Sequence, residues 1–311
     1  MASRVDTPNI SDLVAAQLRG GRRDPLGSAF QGLLLFALLI SLLILVVLLF
    51  DVVGDGISVL TDRGGDFLRG RLSVVTATNA GVGQAIVGTL LLTVIVVVVS
   101  FPLGIAAAVY LEEFAEDTRF NRFINVNIRN LAGVPSIVYG LLGLAIFVKL
   151  LVGFTGGRTI LAGGLTLAVL VLPIVIITAS EALRAVPASI REAGYGVGAT
   201  RWEVIRSHVL PSAAPGILTG TVLSLSRAIG ETAPLLLVGA VTGFLATGGA
   251  SIYEQIYGRY TALPVVIFRW ASLPSSDFRA LTSAAIIVLL ALTLTANAVA
   301  IILRNRYERK W

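Results

Sequence analysis

The chain has 311 residues, 56% hydrophobic and 14% charged, where a soluble domain carries roughly 25% charged residues, so it reads as a membrane protein. It has no cysteine and one histidine, His208, which excludes a disulfide framework, a thiolate nucleophile and a histidine-based metal cluster. The formal charge of +6 comes from arginines flanking apolar segments and does not require nucleic acid; neither Lys149 nor Lys310 follows a glycine-rich loop, so there is no Walker A sequence, and any ATP is bound by another chain.

In chain order, residues 1–28 form a polar tail with Arg19, Arg22 and Arg23 near its end. The apolar run 29–53 is too long for a signal-peptide core and supplies the roughly 20 residues a membrane crossing needs. Residues 54–81, with Gly54, Gly56, Gly64 and Gly65, read as a polar connection. A second segment spans about 82–111; Pro102 and Gly104 are expected to kink it. Charged residues fill 112–130, from Glu112 and Glu113 to Arg129. A third segment covers 131–152, and Gly133 and Pro135 predict a broken or bent start. The fourth covers 159–180 and the fifth 214–242. Residues 243–279 form a long loop rich in aromatics, where a short interfacial helix is expected. The sixth covers 280–303, followed by a basic tail over 304–311.

Six segments put both termini on one side. Fifteen Lys and Arg fall in the tails and loops of that side and seven in the others, so the positive-inside rule predicts both termini in the cytoplasm. The expected architecture is all-α, one six-helix membrane domain over 29–303 with cytoplasmic tails on either side.

Between segments four and five lies a polar, basic island, residues 188–211, ASIREAGYGVGATRWEVIRSHVLP. It reads as two short helices. Ser189 with Glu192, and Thr200 with Glu203, have capping-box spacing. Gly194, Gly196 and Gly198 interrupt the first helix by lowering helical propensity and supplying positive φ. The second carries Trp202, Ile205 and Val209 on one face, and Pro211 is expected to close it. Such an amphipathic pair docks on a soluble partner, lies on lipid headgroups, or braces its own domain.

Segment five carries Arg227 and Glu231, four apart and so on one face. A charge at this depth costs a few kcal/mol and has to face a cavity or a partner. The readings are a structural ion pair, an anion site in which Arg227 offers its fork of donors to an oxyanion, and a proton relay. Pro234 is expected to kink the helix just beyond Glu231. Gly216, Gly220, Ser224 and Ala228 form a small-residue stripe for close helix approach, either within this bundle or against a second membrane chain.

The island resembles the EAA loop of bacterial ABC-importer permeases: Glu-Ala-Ala, three residues, Gly, nine residues, Ile, one residue, Leu-Pro. Here that pattern falls on Glu192, Ala193, Gly194, Gly198, His208, Leu210 and Pro211, with Gly194 for the second Ala and His208 for Ile. RAIGETAPLLLVG at 227–239, GVPSIVYGLLGL at 133–144 and EALRAVP at 181–187 are similar to the phosphate-importer permeases of the PstA family rather than to their PstC partners. The resemblance covers about residues 82–303. It implies a type I importer permease fold (MetI-like) in a bacterial plasma membrane, with the EAA loop as a cytoplasmic coupling helix inserted into an ATPase. Glu192, Ala193, Gly194, Gly198, Trp202, Leu210 and Pro211 would couple to that ATPase, and Arg227, Glu231 and Thr232 would line the substrate path. The implied partners are a PstC-like second permease, a PstB-like ATPase dimer holding ATP and Mg, an extracytoplasmic PstS-like phosphate-binding protein, and lipid. No cofactor or metal is expected on this chain, and no enzymatic activity, because no nucleophile–base set appears. A permease for another oxyanion or solute, an ATP-independent channel or carrier, and a membrane scaffold are the rival readings.

Overall fold

The computed structural model describes residues 25–241 and 252–307. The chain divides into two units after Asp51. Among the described residues five helices are long and apolar enough to cross a membrane: α1 (Pro25–Arg69), α2 (Gly83–Val109, extended by a π-helical turn to Phe114), α6 (Ile160–Arg184), the run Arg201–Gly230, and α13 (Asp277–Tyr307, apolar to Arg306). A bent pair of helices is long and apolar enough for a sixth only when its two halves are taken together. The helix α3 (Arg119–Ala132) meets α4 (Ser136–Gly143) and its π-helical continuation to Leu150 at 103°. Pro135 sits at the bend in extended conformation (φ −56°, ψ 138°), which an imino acid favours and a continuing α-helix cannot use. The bent start expected from Gly133 and Pro135 is therefore found. The residues of 112–130 are not simply a connection, since α3 begins within them, capped by Thr118, whose hydroxyl accepts from the Asn121 amide.

The connection expected over 54–81 is a helix for more than half its length. α1 continues to Arg69, with only Arg63 outside helical geometry (φ −132°, ψ 18°). Gly56 serves here for close packing rather than as a breaker. It is buried, and a Cβ on it would lie 2.7 Å from the Ala284 backbone nitrogen of α13. Where the helix falters, the Arg63 guanidinium bonds the Ala77 and Ala80 carbonyls at 3.1 Å each, fixing the following turn.

α6 is the hub. Burial of apolar area drives little association between helices in lipid, so close van der Waals packing of small residues replaces it. Gly164 of α6 receives Ile95 of α2, and Gly104 of α2 receives Val175 of α6. The buried Ser100 hydroxyl donates to the Ala168 carbonyl at 2.8 Å. Gly143 of α4 lies against Thr166. The small-residue stripe completes the set: Gly216 abuts Ala182, and Gly220 abuts Thr178. Its partner is thus α6 of the same chain.

Two short helices lie between longer elements: α5 (Val152–Thr155) just before α6, and α11 (Ile252–Ile256) in the stretch before Asp277. The interfacial helix expected in 243–279 is α12 (Leu263–Ala271), but it is a core element. Leu263, Pro264, Val265, Val266 and Trp270 are buried, and the Trp270 indole donates to the Ser73 carbonyl at 2.9 Å. Its apolar face is covered by Phe67, Phe278, Leu281 and Ala284. Residues 242–251 of that loop lie outside the described residues, as do the tails 1–24 and 308–311.

Candidate functional site

The island forms two short helices, α7 (Ala188–Gly196) and α8 (Arg201–Val204). Of the two expected capping boxes only Thr200–Glu203 forms: the Glu203 amide donates to the Thr200 hydroxyl, and the Thr200 amide donates to the Glu203 carboxylate. The Ser189–Glu192 box does not. α7 starts after Pro187 with no side-chain cap, because proline already fixes the extended entry geometry and presents no amide to be capped. Nor do all three glycines interrupt. α7 runs through Gly194 and Gly196, and only Gly198 takes positive φ, +83°. Gly194 is buried under α8, where a Cβ would stand 2.7 Å from Val204 Cγ2.

Pro211 does not close the second helix. The run Arg201–Gly230 is continuous, with a π-helical turn over Ile205–Val209 just before α9 (Leu210–Gly230). A proline removes one amide and crowds the carbonyl four residues back; a π-turn is one place where a helix absorbs that fault without stopping. The island is thereby continuous with a membrane-length helix. Val204, Ile205 and Val209 are fully buried with Ala108, Leu183 and Ala213. The opposite side is open: Glu192, Ala193, Tyr195, Trp202 and Val197, the last 84% exposed. Leu210 is half-buried and Pro211 exposed.

Four charged residues that the motif does not contain hold the island in place. Arg184, at the end of α6, makes a bidentate pair with Glu112, 2.7 Å in each bond. Arg191 of α7 binds Glu113 at 2.6 Å, and its guanidinium also donates to the Val186 and Leu183 carbonyls. The Glu113 hydrogen bond holds the Arg191 pKa above the ordinary arginine value. Glu113 is buried and Arg191 mostly so, whereas Arg184 is half exposed. Next in sequence, Phe114 carries the Arg201 guanidinium of α8 over its ring at 5.2 Å. The end of α2 therefore grips both halves of the island. The signal in sequence was complementary charge: two acids ending one apolar run, arginines ending and following another.

The second cluster sits where α9 stops. Segment five is not one helix. α9 ends at Gly230, Glu231 is extended (φ −74°, ψ 128°), and α10 (Ala233–Val238) begins with Pro234 in its first turn. The break thus precedes the expected position, because proline is tolerated at the start of a helix but disfavours α conformation before it. Arg227 and Glu231 nevertheless meet, Nε to Oε1 at 3.2 Å, with side chains 43% and 15% exposed. That bond uses Nε and leaves both Nη groups without a partner among the described residues. Thr232 is half-buried beside them. The motif at 133–140 arrives from the other side: a Cβ on Gly140 would lie 2.7 Å from Pro234 Cα, and the buried Tyr139 donates its hydroxyl to the Leu131 carbonyl. The break is thus seated on α4 while one face of Arg227 stays open. Beside it, the cleft lined by Ala228, Ile229 and Leu235 has only about 10 Å³, room for about one water.

The chain is 33% identical over 231 residues to the phosphate transport system permease protein PstA of Xylella fastidiosa strain Temecula1, covering 73% of this chain and 77% of that one. It is 36% identical to the PstA protein of Yersinia pestis (71% and 72% covered) and to PstA 1 of Mycobacterium tuberculosis (74% and 72%). In fold it is similar to a chain of the bacterial alginate ABC transporter (TM-score 0.60, 16% identity, 88% and 94% covered). A chain of the MetNI methionine ABC transporter is also similar (TM-score 0.55, 17% identity, 73% and 97% covered). Residues 100–310 match the family described as the binding-protein-dependent transport system inner membrane component, and with more than half of its length in that match the chain belongs to this family of multi-pass ABC importer permeases.

Proposed function

We propose that this chain is the transmembrane permease subunit of an ATP-driven importer of inorganic phosphate. The observation that carries the reading is the Arg227–Glu231 pair at the α9–α10 break, with the guanidinium fork open on one side. An oxyanion is what a planar fork of donors recognises best, and the relatives of similar length carry the name of phosphate transport. The partial neutralisation by Glu231 keeps the site from trapping its ligand. Because the cleft at Ala228 and Leu235 is far smaller than an anion with its hydration, a second permease chain closes the path on the Arg227 side. The open face of α7 and α8 docks on a cytoplasmic ATPase dimer that binds ATP and Mg. An extracytoplasmic binding protein delivers phosphate to the other end, and both termini lie in the cytoplasm.

The test is uptake by the assembled complex in proteoliposomes. Phosphate accumulates only with ATP on the coupling-loop side, and excess sulfate or molybdate slows it by less than about twofold, since a charge-matched site discriminates among anions by several kcal/mol of desolvation and hydrogen bonding. Flux without the ATPase would overturn the reading in favour of a channel. Complete inhibition by sulfate would move the substrate to another oxyanion.

A further inference from the structure

None of the 14 residues of α3 is buried, although the helix is firmly held. The Thr118 hydroxyl caps its first turn. The Asn121 side-chain amide donates to the Glu116 carbonyl at 2.8 Å, and at the far end the Leu131 carbonyl accepts from Tyr139. Ile128 packs on the cluster that contains Leu183 and Val186. Yet Phe120 and Phe123 are 69% and 63% exposed. An ordered helix that leaves two aromatic rings uncovered calls for something to cover them.

Arg or Asn occupies half of the positions of α3, too many for a hydrocarbon interior where each charge costs a few kcal/mol. At 1.5 Å per residue the helix is about 21 Å long, short of a bilayer core of about 30 Å. The apolar run from Ser136 to Leu150 leaves it at 103°. With that run entering the membrane, α3 lies close to the membrane plane. Ser136–Leu150 and α5 together reach Thr155, which supplies the roughly 20 residues of a crossing without α3.

At 3.6 residues per turn the helix divides into three strips. Asn121, Asn125 and Ile128 are half-buried and turn toward the bundle. Phe120, Phe123 and Leu131 form an exposed apolar strip, with Asn127 among them. Arg119, Arg122 and Arg129, with Val126, form the strip beside it and are exposed. The helix contains no acidic residue; Glu116 and Asp117 stand before its cap. Asp117 is taken up by Arg122 at 3.0 Å. Arg119 and Arg129 have no partner among the described residues.

We propose that α3 is a surface helix docked on an anionic bilayer, with its aromatic strip at the acyl boundary and Arg119 and Arg129 on the phosphodiesters of acidic lipids. An apolar strip flanked by a cationic one, on a helix lying in the plane, is the pattern that binds at such an interface. Guanidinium suits a phosphodiester because its planar fork meets two oxygens at once. The proposal stands whichever solute the chain transports.

The full chain carrying Phe123→Cys, its only thiol, is labelled with bimane before assembly into its complex. The complex is reconstituted in phosphatidylcholine vesicles with about 30% phosphatidylglycerol, and either lipid carries a nitroxide quencher on its acyl chain. Both lipids are expected to quench, and phosphatidylglycerol to associate roughly ten- to thirtyfold more tightly, the effect of two cations near an acidic surface. Arg119→Gln with Arg129→Gln is expected to bring that preference below about twofold, and Arg119→Lys with Arg129→Lys to keep most of it. If the double glutamine variant does not assemble, Arg129→Gln alone is expected to lower the preference about threefold or more. A label at Leu131→Cys repeats the measurement should Phe123→Cys perturb the helix. Absence of quenching by either lipid overturns the proposal, and quenching that returns when the chain is reconstituted alone would make the occupant a partner chain. Equal quenching by the two lipids, or a preference indifferent to both arginines, overturns it as well.

Discussion

Arg227→Gln is expected to lower ATP-driven phosphate uptake by at least about a hundredfold in fully assembled complexes. A hydrogen bond to a charged group contributes about 1.5–3 kcal/mol. Removing the guanidinium also leaves the Glu231 carboxylate, 15% exposed, alone beside the path. At a separation of about 7 Å and an effective dielectric constant near 20, its repulsion of a monovalent anion is roughly 2 kcal/mol. Together these come to about 4 kcal/mol, and each 1.4 kcal/mol is a factor of ten. The two contributions separate in a double-mutant cycle. Arg227→Gln with Glu231→Gln is expected to recover about 30-fold over Arg227→Gln alone, since the unpaired carboxylate is then gone. Initial rates of phosphate uptake at equal complex density measure both. Normal uptake by Arg227→Gln would reduce the pair to a structural one.

Glu113→Gln is expected to uncouple the transporter: ATP hydrolysis continues while uptake per ATP falls by about tenfold or more. Breaking a buried ion pair by removing one partner costs roughly 3–5 kcal/mol, and here the stranded group is Arg191, 22% exposed, which also ties down the Leu183 and Val186 carbonyls. Partial access of water to Arg191 brings the estimate down to about 2–3 kcal/mol. That loss falls on the joint between α7 and the end of α2, so the island moves with its ATPase without dragging the bundle. Glu112→Gln is the contrast. Its partner Arg184 is 52% exposed, so the guanidinium left behind is hydrated rather than stranded, and uptake is expected to change less than about twofold. The ratio of phosphate imported to ATP hydrolysed, read together with the thermal midpoint of the complex, distinguishes uncoupling from misfolding. Equal effects of the two substitutions would remove Glu113 from the coupling joint.

The long apolar runs were legible because a membrane crossing is a matter of length and apolarity, and the bend at Gly133–Pro135 because proline acts locally. Glycine was the harder residue. Gly56, Gly194 and Gly220 sit inside helices where a neighbour presses on the backbone, and one sequence does not distinguish a glycine that breaks a helix from one that admits Ala284, Val204 or Thr178. Pro211 and Pro234 show the same ambiguity. The first is absorbed by a π-turn, the second starts a new helix, and which outcome follows depends on packing. Arg227 and Glu231 were visible as charges out of place in an apolar run. Glu113 was not, because a carboxylate among other charges draws no notice until its partner, 78 residues away in sequence, is brought beside it.

If an ATPase drives this bundle, it docks on the open face of residues 188–203. The chain has no cysteine, so Val197→Cys, at a position 84% exposed, supplies its only thiol, and Val75→Cys, at a position 85% exposed in the turn between α1 and α2, supplies one at the other end of α2. In the assembled transporter, a cysteine-to-lysine cross-linker is expected to join Val197→Cys to the ATPase subunit and to leave Val75→Cys unjoined to it. An ATPase that links to position 75, or a position 197 that links to no ATPase at all, would contradict the account.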